Sequence, residues 1–192
     1  MKIIKYFLLV ALILSSFSSF AGVKSDYKKI LKKWSRHDEV YAHYDLKAAI
    51  IWDATFLSEE MLEAQADLYA RQYDLDDSQK LKEWENLRSS REGKTVFFVS
   101  FFNSSKKLDD LSNPKHGWLI RLKSRGNVFE PVLIERLKRY SPEAQLFYPY
   151  ILPWSVTYRV SFPPNAIVSG QKFELDVRNQ LSDSHLIWDK PE

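Results

Sequence analysis

Polarity alternates with a period of two over long stretches of the chain. From Val40 to Phe56 every even-numbered residue is apolar: Val40, Ala42, Tyr44, Leu46, Ala48, Ile50, Trp52, Ala54 and Phe56. The odd positions carry His43, Asp45, Lys47, Asp53 and Thr55. A strand points successive side chains to opposite faces, so this pattern predicts one long half-buried strand. The run is long for a single strand, so a bend or bulge is expected within it. Ala48 to Trp52 is apolar on both faces, which predicts a cover over the outer side there.

The same period recurs further on. TVFFVSFF (95–102) is apolar on both faces, as a central strand would be. WLIRLK (118–123), WSVTYRVSF (154–162) and KFELDVR (172–178) alternate, and LIW (186–188) closes the set. Trp52, Trp118, Trp154 and Trp188 all fall on inward positions of this pattern. Ser124 to Asn127 reads as a turn leading to a hairpin partner, and Pro131 marks that partner as an edge strand or a bulged one.

Two segments change to the helical period. In residues 24–36, Tyr27, Ile30, Leu31 and Trp34 share one face, and Lys28, Lys29, Lys32, Lys33 and Arg36 fill the rest. Residues 58–93 read as two helices. Ser58 is placed to cap the first, with Glu59 and Glu60 at the positive end of its dipole. DLDDS (74–78) breaks it and offers new caps, and Gly93 stops the second. The expected fold is therefore mainly β with helical additions. It is an antiparallel β-sandwich, with an immunoglobulin-like arrangement as one form of it, and a two-helix insertion follows its first strand.

The beginning of the chain adds a location. Lys2 and Lys5 precede the apolar run YFLLVALIL (6–14), and Ser19-Phe20-Ala21 supplies small residues for cleavage. Residues 1–21 are thus expected to be a secretory signal peptide, leaving 22–192 as a single domain exported to the periplasm or the exterior. The net charge is +3 with the two leader lysines and +1 without them, too little to indicate a nucleic-acid partner. There are no cysteines. An exported chain without disulfides fits a bacterial envelope, and thiol catalysis and cysteine-ligated metal sites are excluded.

The order W-x-R … VY … ATF-S-E-E, then helices, then FYPYILPWS-x-x-Y-x-V-x-FP, resembles a group of secreted or lipid-anchored bacterial envelope proteins with no assigned activity. The resemblance implies a β-sandwich in the envelope and transfers no catalytic residue. The chain lacks the cysteine of the lipid-anchored members.

Tests for chemistry mostly fail. HDEVYAHYD (37–45) holds His37, Glu39, His43 and Asp45, but His37 and His43 are six residues apart, roughly 20 Å along a strand, too far to share an ion. His43 with Asp45 is the weak metal candidate that remains, and it needs a third ligand from elsewhere; His116 and His185 lie in loops or strand ends. S-x-x-K occurs at Ser25/Lys28, Ser104/Lys107 and Ser112/Lys115 without the companion elements that β-lactamase-type chemistry needs. The glycines stand singly, so no phosphate-binding loop exists. No cofactor is implied. Asp109/Asp110 is the most suggestive carboxylate doublet, and it supports a hydrolase reading only if a second acid meets it across a cleft.

FYPYILPW (147–154) concentrates Tyr148, Tyr150 and Trp154 between two prolines, and a stiff aromatic loop is a recognition candidate. The expectation is a non-enzymatic module that binds another envelope protein or surface component. A secreted hydrolase using loop carboxylates, and membrane-surface contact through the basic helix 24–36, are the alternatives.

Overall fold

The computed structural model describes residues 26–42, 47–138 and 142–189. Helix α1 (residues 26–34) runs directly into strand β1 (Ser35–Tyr41), which returns as β2 (Ala48–Phe56). Helices α2 (Glu59–Gln72) and α3 (Asp77–Ser89) precede β3 (Thr95–Phe102). A 3₁₀ turn at Pro114–His116 leads to β4 (Leu119–Ser124), β5 (Asn127–Phe129) and β6 (Leu133–Arg136). Helix α4 (Pro142–Phe147) and strands β7 (Val156–Phe162), β8 (Phe173–Arg178) and β9 (Asp183–Trp188) complete the order. All pairings are antiparallel, in a five-stranded sheet β1-β2-β3-β7-β6 and a four-stranded sheet β5-β4-β8-β9.

Most of the inward residues foreseen from the alternation form the core between the sheets, Trp154 being an exception. Ile50, Trp52 and Ala54 of β2 meet Phe97, Val99 and Phe101 of β3 and Tyr158, Val160 and Phe162 of β7. Across the gap stand Ile120, Leu122, Phe173, Leu175, Val177 and Trp188. The outer face of the five-stranded sheet is also covered, because β3 is apolar on both faces. Val96 and Phe98 pack under Tyr27, Leu31 and Trp34 of α1 and under Met61, Leu62 and Leu68 of α2. The apolar stripe of α1 is spent on this contact, leaving Lys28, Lys29 and Lys32 exposed. Among the described residues no helix is long and apolar enough to cross a membrane.

Three local expectations need correction. The strand foreseen across 40–56 is a hairpin, with Arg36 opposite Ala54 and Val40 opposite Ile50, so the helical insertion follows the second strand. The basic helix stops at residue 34, and Ser35 and Arg36 already belong to β1. The hairpin partner of β4 is only three residues long; past Pro131 the chain crosses to the other sheet, where β6 pairs with β7. Proline cannot donate to a ladder, so pairing with β4 stops before it.

The helix ends were legible. Ser58 accepts a hydrogen bond from Met61 N at 3.1 Å. Asp76 and Gln79 form a capping box at α3, each side chain accepting from the other's backbone N–H. Asp74 has a φ of 50°, a left-handed turn that ends α2 and starts the next segment.

The two sheets are joined along one side where β1 lies beside β9. Trp188 Nε1 donates to Trp34 O at 2.9 Å, and Arg36 Nε donates to Ile187 O at 2.8 Å. Inside the seam, the fully buried Trp52 donates through Nε1 to Ser184 Oγ at 2.7 Å, and Ser184 donates to Asp38. Replacing Ser184 with alanine leaves a buried indole N–H without an acceptor. The expected loss is about 1–3 kcal/mol of stability, read as a lower urea midpoint at unchanged slope.

Candidate functional site

A cleft of about 860 Å³ lies at the border between the helical layer and the sandwich. Four separate stretches build it. Trp34 ends α1 and Phe56 ends β2; Ser58, Glu59 and Glu60 open α2; Glu85, Arg88 and Ser89 come from the end of α3, and Arg91 to Thr95 from the turn after it. The loop from Asn165 to Ser169, with Phe173 behind it, forms the facing wall. Trp34 meets Phe56 edge-on with ring centroids 5.5 Å apart, and Phe56 meets Phe173 at the same distance. Phe56, Ile167 and Val168 are half-buried and keep apolar surface toward the cleft.

Apart from the exposed Glu85, the charges around this floor are paired with one another. Glu60 accepts from Trp34 Nε1 at 2.7 Å and from Lys33 Nζ at 2.6 Å. Arg91 donates through Nη1 to Leu57 O at 2.7 Å and through Nη2 to Glu59. Its Nε is buried and has no hydrogen-bond partner among the described residues. Arg88 lies 3.7 Å from Glu59 and stacks its guanidinium over Trp84, and Lys94 pairs with Glu92.

A second cluster lies on the outer face of the five-stranded sheet, where the hairpin places His37 opposite Asp53. His37 Nδ1 is 2.9 Å from Asp53 Oδ1, and Nε2 is 3.1 Å from Glu39 Oε1; Tyr41 donates to Glu39 Oε2 at 2.7 Å. The loop after α4 closes over Asp53's neighbour: Tyr150 OH and Thr55 Oγ1 share a 2.6 Å hydrogen bond, and Thr55 shares another with Ser35. Burial raises the Asp53 carboxyl to about 6, with the His37 charge holding it back. For His37, partial burial favours the neutral ring, but Asp53 and Glu39 outweigh it and the pKa is raised.

This cluster lacks the geometry of a nucleophilic site. Ser100 stands opposite Asp53 on β3, so Asp53 separates it from His37 by two strand spacings, roughly 10 Å. The imidazole is beyond hydrogen-bond reach of that hydroxyl. His185 repeats the pattern on the other sheet, 2.9 Å from Glu174 and 3.1 Å from Asp183. In both cases the two carboxylates bind opposite ring nitrogens, so they do not converge on one point. Among the described residues no group of three or more histidines and acids is arranged to hold a metal ion.

The residues singled out from sequence are dispersed. Tyr148 is buried, stacked on Phe98 at 3.7 Å, and accepts from Gln65 Nε2 at 2.7 Å. Tyr150 is turned to Thr55. Trp154 is 53% exposed, because the turn closed by Ser155 N to Leu152 O takes it out of β7. Of the four aromatic residues in FYPYILPW, only Trp154 is exposed. His43 and Asp45 lie outside the described residues. Asp110 accepts from Ser112 Oγ at 2.6 Å, from Arg136 at 2.9 Å and from Tyr158 at 3.2 Å. Burial alone would raise its pKa, and these bonds outweigh it and lower it. His116 and Asn113 shape the same loop. The cleft residues carry no local motif that the sequence could have announced, because they come together only through the insertion and the 163–170 loop.

The Asp53 and His37 shifts have one sign. Each group holds its proton more tightly in the folded chain than in the unfolded one, so folding takes up protons as pH falls through the raised values. The groups facing the pair are Glu39 and Tyr41 on its own sheet and Tyr150 from the covering loop. The thermal midpoint is expected to rise between pH 8 and pH 6. Asp53→Asn should lose the greater part of that rise, measured by circular dichroism melts across the range.

No protein-family model and no curated protein matches the chain.

Proposed function

We propose that the chain is an exported bacterial envelope protein that binds another envelope component, on an immunoglobulin-like sandwich, without catalysing a reaction. The leader pattern in residues 1–21 supports export. The strand order supports the architecture. The run β2-β3-β7-β6 follows the A-B-E-D order of immunoglobulin-type sheets, and β9-β8-β4-β5 follows G-F-C-C′. Trp118, just before β4, packs edge-on against Phe101 of β3 at 5.0 Å. Where antibody domains carry an inter-sheet disulfide, Phe97 and Phe173 face each other with centroids 6.1 Å apart.

Architecture does not choose a function, so the cleft carries the reading. Its floor is aromatic and aliphatic, and Glu59, Glu60 and Glu92 are each tied to a cation at its rim. A glycoside-cleaving pair needs two carboxyl groups facing each other across a cleft at about 5–9.5 Å, one of them poised as an acid. Glu59, Glu60 and Glu92 are instead bonded to arginine and lysine, and Lys94 holds the Glu92 carboxyl below its usual range. The doublet Asp109/Asp110 does not serve either, since Asp110 is bound into its own loop. Contact with an anionic membrane surface would be electrostatic only, through Lys28, Lys29 and Lys32.

Photo-crosslinking in intact cells tests this reading. A photoreactive residue at Arg88, on the cleft mouth, should capture a defined envelope component. The same residue at Leu181, which is 83% exposed beyond the far ends of β8 and β9, should not. Equal capture from both positions, or none from either, would sink the proposal.

A further inference from the structure

The chemistry of the cleft narrows what it can select. Its lining holds four carboxylates, Glu59, Glu60, Glu85 and Glu92, against Arg88, Arg91 and Lys94, with Lys33 bonded to Glu60 as a fourth cation. Charges of both signs are interspersed around one rim, so they sum to no field that would favour an anion over a cation. Arg91 is the best-covered of the cations, 14% exposed, and Glu59 balances it. What remains coherent is the floor, where Phe56, Ile167 and Val168 keep part of their surface open over buried Trp34 and Phe173. The indole Nε1 of Trp34 is already donated to Glu60, so the ring offers only apolar surface. A cleft of this size is within the usual range for small-molecule or side-chain recognition, about 300–1,000 Å³.

One wall is also less firmly held than the others. Helix α2 buries seven residues, from Met61 to Ala70, whereas α3 buries none. Its inner face, Lys80, Glu83, Trp84 and Leu87, is only half-buried. Two ion pairs, Lys80 with Asp67 and Arg88 with Glu59, hold it to α2, and both are largely exposed. Exposed pairs contribute about 0–1 kcal/mol each. The segment is flanked by left-handed residues, Asp74 with φ 50° before it and Glu92 and Gly93 with φ 51° and 70° after it. Elements with few buried contacts open at low free energy, and turns at both ends let this one move as a unit.

We propose that the cleft takes an uncharged aromatic or aliphatic group, and that α3 is the wall that yields to admit it. The proposal rests on the binding reading above and names the chemistry of what enters. Such a group gains by leaving water for the Phe56–Ile167–Val168 floor, about 25 cal/mol for each Å² of apolar area covered. A charged group would give up hydration and meet, beside the exposed Glu85, only ions already paired at Glu59, Glu60 and Glu92.

Two dyes that differ by one charge test this on the folded chain: N-phenyl-1-naphthylamine, which is uncharged, and its sulfonated relative 8-anilinonaphthalene-1-sulfonate. The uncharged dye should bind saturably with a blue-shifted emission, at least 10-fold tighter than the sulfonate. Val168→Arg, which sets a guanidinium in the floor, should weaken it at least 10-fold. Ser89→Trp, an exposed position on the cleft side of α3, fills the mouth without touching the core and serves if Val168→Arg fails to fold. Hydrogen exchange followed by mass spectrometry should show residues 77–89 exchanging at least 10-fold faster than 59–72, and slowing when the dye is bound. Sulfonate binding as tight as the neutral dye, binding unmoved by a folded cleft variant, or protection away from 77–89 would each overturn the proposal. If crosslinking from Arg88 still captures a partner in the Ser89→Trp chain, the binding reading stands and only this assignment falls.

Discussion

The middle strands of the five-stranded sheet have no wet face, and the rest of the molecule is arranged around that constraint. Phe97, Val99 and Phe101 of β3 need the four-stranded sheet on one side; Val96 and Phe98 need something else on the other. A sheet that hides both faces requires a third layer. Helices α1 and α2 and the loop after α4 supply it, and this explains why α1 buries its tyrosine, leucine and tryptophan. Several polar residues caught under the layer find partners across it or on the neighbouring strand. Gln65 reaches Tyr148, Tyr150 reaches Thr55, and Asp53 keeps His37. The cleft lies where the third layer ends and the sandwich edge begins. That position gives it an apolar floor continuous with the core and a charged rim supplied by helix ends.

Parity along the chain carried most of the fold in the sequence, and it also hid the chief error. Val40 and Ile50 face each other across the first hairpin, and they are ten positions apart, an even number. The alternation therefore keeps its phase through the turn, and two strands read as one. AHYDLK (42–47) holds no glycine, proline or asparagine to mark the reversal. Pro131 read as an edge or a bulge in a continuing partner strand, but the change of sheet was not legible, because no local signal says which partner a freed strand will find. Ser58 and the DLDDS caps were legible as helix punctuation because capping is a matter of three or four neighbouring residues, whereas α3 ends at Ser89 with Ser90 as its cap, before the Gly93 expected to stop it.

The candidate sites were less legible for a related reason. His37 was visible as a possible ligand, yet its partner Asp53 is sixteen residues away and arrives only through the hairpin. The cleft draws on residues from 34 to 173. FYPYILPW attracted attention by its rings, but nothing in its composition says which of them turn inward. Tyr148 does, because Phe98 offers it a flat face on a sheet that must be covered.

The seam between β1 and β9 has a consequence for the order in which the molecule can be completed. Trp34 and Trp188 are 154 positions apart, and Asp38 and Ser184 are 146 apart. Tyr27 waits for Phe147, 120 positions away. Contacts of such separation pay a large loop-closure cost before they return any energy, and they slow folding. β9 comes late in the chain, so the N-terminal helix and first hairpin cannot close their side of the sandwich until it exists. A chain threaded through a membrane from its N-terminus would emerge with that seam open, and its earliest strands would be the last to be sealed.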